Sequence, residues 1–124
     1  MRILIVEDYT RLLRLYEKIL TLAGHEVHKA STLLDARDLL EEMDFDVCLL
    51  DVHLGFRSGI DLFQHFPQPK STRFIVVSGW DQYRDICEAA NIDFHLKPIS
   101  NRALVALVAN EDYNDYLDFL NRHD

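Results

Sequence analysis

Five short apolar runs, separated by segments of helical period, constrain this chain more than any other feature. They are Arg2–Val6, a weaker His25–Lys29, Val47–Leu50, Phe74–Val77 and Phe94–Leu96. Strands buried on both faces of a parallel sheet read as near-continuous apolar runs rather than as an alternation. Strands that alternate with helices imply parallel neighbours joined by right-handed crossovers.

The intervening segments carry helix signals. Leu12, Tyr16, Ile19, Leu20 and Ala23 share one helical face, and Gly24 marks its end. Ser31 or Thr32 caps a second helix bearing Leu33, Ala36, Leu40 and Met43. Gly59 opens a short third helix with Leu62, Phe63 and Phe66, after which Pro67 and Pro69 break the chain. A fourth helix is expected over Asp81–Ala90, and Ser100 caps a fifth that uses Leu104, Leu107 and Val108. The expected fold is therefore α/β, a doubly wound five-stranded parallel sheet in the flavodoxin-like order 2-1-3-4-5.

The expected organisation is one domain over residues 1–110 and a C-terminal helical extension over 111–124. In that extension Tyr113, Tyr116, Leu117 and Leu120 form a stripe turned by roughly half a revolution from Leu104, Leu107 and Val108. One straight helix cannot bury both stripes against the same sheet. Either the helix breaks near Asn110, or the tail folds back over its own domain or offers an apolar face to a partner, such as a second copy in a homodimer.

Composition excludes several classes. At 124 residues and 48% hydrophobic content the chain suits one compact core. Its net charge of −8, from 21 acidic against 13 basic residues, opposes direct nucleic-acid binding. Cys48 and Cys87 fall within apolar patterns and read as small buried hydrophobes, not as a disulfide or zinc framework. No apolar stretch approaches the roughly 20 residues of a membrane span. A soluble, unprocessed protein of the reducing cytoplasm is expected.

The chemistry lies at the ends of the runs. Glu7 and Asp8 follow the first, Asp51 the third, Ser78 and Gly79 the fourth, and Lys97-Pro98 the fifth. Open α/β sheets bind ligands at the strands' carboxyl ends, so these residues converge on one cleft. Taken singly, each has an ordinary reading as a helix cap, a turn or a solvated charge. Asp51 is the least ordinary, because a carboxylate that ends a wholly apolar strand costs stability unless a cation compensates it. Mg2+ needs only one or two carboxylates and a few further oxygens. An aspartate can also attack phosphorus, and the transferring group then requires a metal, a lysine and hydroxyl or amide donors. Lys97, Ser78 and the Gly79 amide stand where such donors belong, and a cis peptide at Lys97-Pro98 would aim the lysine back over the strand ends.

This constellation resembles the receiver domain of two-component response regulators, of the single-domain type, over Met1 to Asn110. The resemblance implies that Asp51 is the phosphoacceptor, that Glu7 and Asp8 help hold Mg2+ together with Asp51, and that the carbonyl of His53 is a further ligand. It implies a hydroxyl switch at Ser78, an aromatic switch at Phe94 and a phosphate-contacting lysine at Lys97. A sensor histidine kinase or phosphotransfer protein would supply the phosphoryl group, and Ser78 and Phe94 would then move toward the site. Output would pass to a downstream protein target through the face formed by the fourth helix, fifth strand and fifth helix.

Three positions depart from the family's usual pattern or tune it. Gly55 stands where proline is common, which implies a looser loop. His53 and Trp80 lie two residues beyond the acceptor and the hydroxyl switch, positions that influence attack by water, and bulky Trp80 is expected to shield the phosphoryl group. The other histidines, His25, His28, His65, His95 and His123, show no metal-ligand spacing. Two rival classes fit this pattern less well. A haloacid-dehalogenase-type phosphohydrolase wants a second aspartate as general acid where this chain has His53. A phosphorylation-independent pseudo-receiver, acting as an interaction module, would normally have lost an acidic, acceptor or lysine position, and none is lost here.

Overall fold

The computed structural model describes residues 1–51, 53–54, 57–58 and 71–110, the two dipeptides through their backbone pairing only. In chain order the elements are β1 (Arg2–Val6), α1 (Thr10–Leu22), β2 (Glu26–Ala30), α2 (Leu33–Glu42), β3 (Val47–Leu50), β4 (His53–Leu54) and β5 (Arg57–Ser58). There follow β6 (Arg73–Ser78), a 3-10 turn (Asp81–Tyr83), α3 (Arg84–Ala89), β7 (Asp93–Leu96) and α4 (Asn101–Val108). The expected third helix at Gly59–Phe66 and the tail stripe of Tyr113 to Leu120 lie outside the described residues.

The main sheet runs β2-β1-β3-β6-β7, all parallel, which is the order expected for the five strands. Successive side chains of a strand point to opposite faces, and the core divides accordingly. Leu4, Val6, Cys48, Leu50, Phe74 and Val76 pack on one side with Leu33 and Ala36 of α2, Cys87 of α3 and Phe94 of β7. Ile3, Ile5, Val47, Leu49, Ile75 and Val77 pack on the other with Leu13, Tyr16 and Leu20 of α1 and Leu104, Leu107 and Val108 of α4. Each fully buried aliphatic side chain contributes about 1.5–3 kcal/mol of transfer free energy. The doubly wound architecture thus follows from central strands β1, β3 and β6 whose interior positions are apolar on both faces.

The helix ends obey local chemistry. Thr32, not Ser31, caps α2, its hydroxyl accepting from the Asp35 amide at 3.1 Å. The Ser100 hydroxyl accepts from the Ala103 amide at 3.1 Å and starts α4. Gly24, at φ +95°, closes α1, where the His25 amide donates to the Leu20 carbonyl and the Gly24 amide to that of Thr21. α4 ends at Val108, and Asn110 beyond it has φ 62°; the tail stripe that raised the alternatives lies outside the described residues.

Some expectations needed correction. Leu13 lies at the centre of the buried face of α1, while Ala23 is exposed because it sits on the C-cap, where the chain already turns toward Gly24. The fourth helical segment is divided into a 3-10 turn and a six-residue α-helix. The loop after Asp51 contains an antiparallel ladder pairing His53 with Ser58 and Leu54 with Arg57, too short to show any period in sequence.

Candidate functional site

Three backbone hydrogen bonds extend the parallel ladders by one rung and fix the site. The Glu7 amide donates to the Ala30 carbonyl at 3.1 Å, the Asp51 amide to Val6 at 3.0 Å, and the Lys97 amide to Ser78 at 2.7 Å. Register therefore delivers Glu7, Asp51, Ser78 and Lys97 to one edge of the sheet. The Lys97-Pro98 peptide is cis, as anticipated.

The side chains converge. Lys97 Nζ donates to Asp51 Oδ2 at 2.8 Å and stands 3.5 Å from Glu7 Oε2. Carboxylate oxygens of Glu7, Asp8 and Asp51 all lie within 4.8 Å of one another. Glu7 is 3% exposed and Asp51 9%, whereas Asp8 is exposed at the rim. Burial pushes the Glu7 carboxyl up to about 8, helped by a hydrogen bond with Asp51 and by that neighbour's charge, against the opposing pull of Lys97. Burial alone would lower the Lys97 ammonium, but its hydrogen bond to Asp51 and the charges of Asp51 and Glu7 hold it above its ordinary value. Hard oxygen donors from three carboxylates gathered this closely fit a divalent cation such as Mg2+.

Ser78 is wholly buried, and its Oγ accepts from the Trp80 amide at 3.0 Å. The adjacent Gly79 has open space where a side chain would project. The Trp80 side chain is 55% exposed. Phe94 is buried, with the Arg84 guanidinium carbon 4.9 Å from its ring centroid. For His53 the structure describes the strand pairing alone. Cys48 and Cys87 are buried free thiols, as expected, and burial raises both above the usual thiol range.

Two residues near the site escaped the sequence reading. Tyr16, counted there as helix core, is a buried phenol raised first by burial and sensitive to the charges of Lys97, Glu7 and Asp51. The one available signal was a polar-tipped aromatic on an otherwise aliphatic helix face. Arg84 carried no signal, because its contact with Phe94 spans ten residues of chain.

The chain is similar to known regulators. Over 103 residues it is 36% identical to the alginate biosynthesis transcriptional regulatory protein AlgB of Pseudomonas aeruginosa, a match covering 80% of this chain and 23% of AlgB. It thus spans about a quarter of that relative's length. A CheY-like response regulator receiver domain from Methylobacillus flagellatus superimposes with a TM-score of 0.76 at 27% identity, covering 89% of this chain and 97% of that one. The response regulator protein TrrA of Thermotoga maritima, solved in complex with Mg2+-BeF, shares the fold with a TM-score of 0.77 at 21% identity, over 88% of this chain and 96% of its own. The sequence profile of the response regulator receiver domain matches residues 3–109, and the chain belongs to that family, the receiver domains of two-component signal transduction.

Proposed function

We propose that Asp51 is the phosphoacceptor of this receiver domain, and that its phosphorylation switches a protein-interaction face. The observation that carries this reading is the position of Lys97 Nζ, 2.8 Å from Asp51 and 3.5 Å from Glu7. An Asp51 oxygen attacks phosphorus, an O–P bond forms, and the P–N bond to the donor's histidine breaks as the departing imidazole takes up a proton. Lys97 holds the attacking carboxylate in place and offsets charge on the transferring group. The hydroxyl of Ser78, the last residue of β6, and the amide of Gly79 just beyond it supply donors to that group.

Glu7, Asp8, Asp51 and the His53 carbonyl are the residues that would hold Mg2+. Bound there, the ion supplies positive charge against the phosphoryl oxygens. The acidic cluster supports this, as does the Mg2+-BeF complex of TrrA.

The donor is a sensor histidine kinase or phosphotransfer protein, and the receiver unit of residues 1–110 passes its state to a downstream protein target. The C-terminal helical extension expected over residues 111–124 lies outside the described residues, and homodimerisation is one use proposed for its stripe. The domain acts as a switch and not as an enzyme, without direct nucleic-acid or membrane contact, in the cytoplasm. Among the described residues no helix is long and apolar enough to cross a membrane. Retention of Glu7, Asp8, Asp51 and Lys97 in one cluster weighs against the pseudo-receiver alternative. Intact mass after incubation with a small acyl phosphate, with and without Mg2+, tests the reading when wild type is compared with Asp51→Asn.

A further inference from the structure

We propose that Arg84 is a positioning residue for phosphoryl acceptance, acting by closing over the buried ring of Phe94. The inference rests on Asp51 being the acceptor and concerns what keeps its surroundings in order.

Phe94 belongs to the core cluster that contains Val6, Leu50 and Val76. Val6 and Leu50 immediately precede Glu7 and Asp51, and Val76 is the partner of Phe94 in the sheet register. The ring therefore belongs to the core layer from which the strand ends that carry the site emerge. Were it to swing out, it would leave a void in that layer, and cores do not tolerate such voids cheaply. Three residues beyond Phe94, Lys97 makes its ammonium contact with Asp51.

Arg84 covers this ring. Its guanidinium carbon lies 4.9 Å from the Phe94 centroid, a cation–π distance. Its Nε donates to Asp81 Oδ1 at 2.7 Å. Asp81 follows Trp80, whose amide is bonded to the Ser78 hydroxyl. Ser78 is thus linked to Phe94 through the Trp80 amide, its chain neighbour Asp81 and Arg84, and Lys97 follows Phe94 three residues on. Arg84 favours the buried ring, and the buried ring favours a site ready to accept.

The guanidinium side chain is 40% exposed, so replacing it leaves the core intact. The test titrates a small acyl phosphate, with Mg2+, against the full chain and reads the half-saturating concentration by intact mass. Arg84→Gln keeps the aliphatic stem and removes the charge; it is expected to raise that concentration about two- to fivefold, the scale of one partly exposed cation–π contact. Arg84→Lys is expected to recover most of the loss, because it restores a cation over the ring. In a Phe94→Leu background Arg84→Gln should change nothing further. Equal shifts in both backgrounds, or no shift in a wild-type background that accepts the group on Asp51, overturn the inference and leave the Asp51 reading standing. No mass gain in the wild type overturns the Asp51 reading, and this inference with it.

Discussion

Lys97 reaches Asp51 across the sheet from the end of β7, its ammonium 2.8 Å from Oδ2, although 46 residues of chain separate the two. The contact exists because β3, β6 and β7 are parallel and in register, so that Ser78 lies opposite Leu96 and the lysine comes next. Its consequence is a carboxylate held in place by a cation that also touches Glu7.

Removing that cation should impair acceptance far more than it impairs folding. Lys97→Met keeps the stem and deletes the ammonium, and loss of one preorganised charge-stabilising donor typically costs about a hundredfold in rate or more. The initial rate of Asp51 phosphorylation by a small acyl phosphate is expected to fall by that order, with the far-ultraviolet circular dichroism unchanged. A rate within a few-fold of wild type would remove Lys97 from the reaction.

Mg2+ should stabilise the fold through the acidic cluster. A ligand that binds only the native state adds about 2.7 kcal/mol when its free concentration is about 100-fold above its dissociation constant. Chemical denaturation with and without Mg2+ is expected to show a gain of that size in wild type and a much smaller one in Glu7→Gln. An equal gain in the variant would place the ion elsewhere.

Exposed Trp80, anchored through its amide to Ser78, stands beside the site at the end of β6. Its bulk is expected to hinder water, so Trp80→Ala should shorten the lifetime of the phosphorylated protein severalfold once donor is removed. Unchanged decay, followed by intact mass, would show that the indole does not shield the group.

His95 gives the pH dependence a defined sign. Burial lowers its pKa below the ordinary 6.5, while Asp93 raises it and Arg73 and Arg84 lower it further. The native state therefore binds a proton less readily than the unfolded chain, and the stability that depends on neutral His95 is lost as pH falls below about 6.5. Urea midpoints measured from pH 7.5 to 5.5 are expected to fall less steeply in His95→Gln than in wild type. Parallel slopes would assign the acid sensitivity to other groups.

What was legible in the sequence was what local pattern encodes. Val47–Leu50 reads as a central strand because all four residues are buried, and β1 and β6 read likewise. The order of Glu7, Asp51, Ser78 and Lys97 placed them at one sheet edge, because parallel strands share a direction. The edge strand β2 read weakly, since solvent meets Glu26 and Lys29 and leaves fewer apolar positions. Placements set by helix docking were harder to read: Tyr16 near Lys97, and Arg84 over Phe94, depend on how helices settle against the sheet. The β4–β5 ladder was illegible for another reason, since two residues per strand cannot display a period.

The most direct test is intact mass after incubation with a small acyl phosphate, in wild type and Asp51→Asn, with Mg2+ present or chelated. The account predicts a gain of one phosphoryl group in the wild type with Mg2+ and none under the other three conditions. An unmodified wild type that is nonetheless folded, or an equal gain in Asp51→Asn, would contradict it.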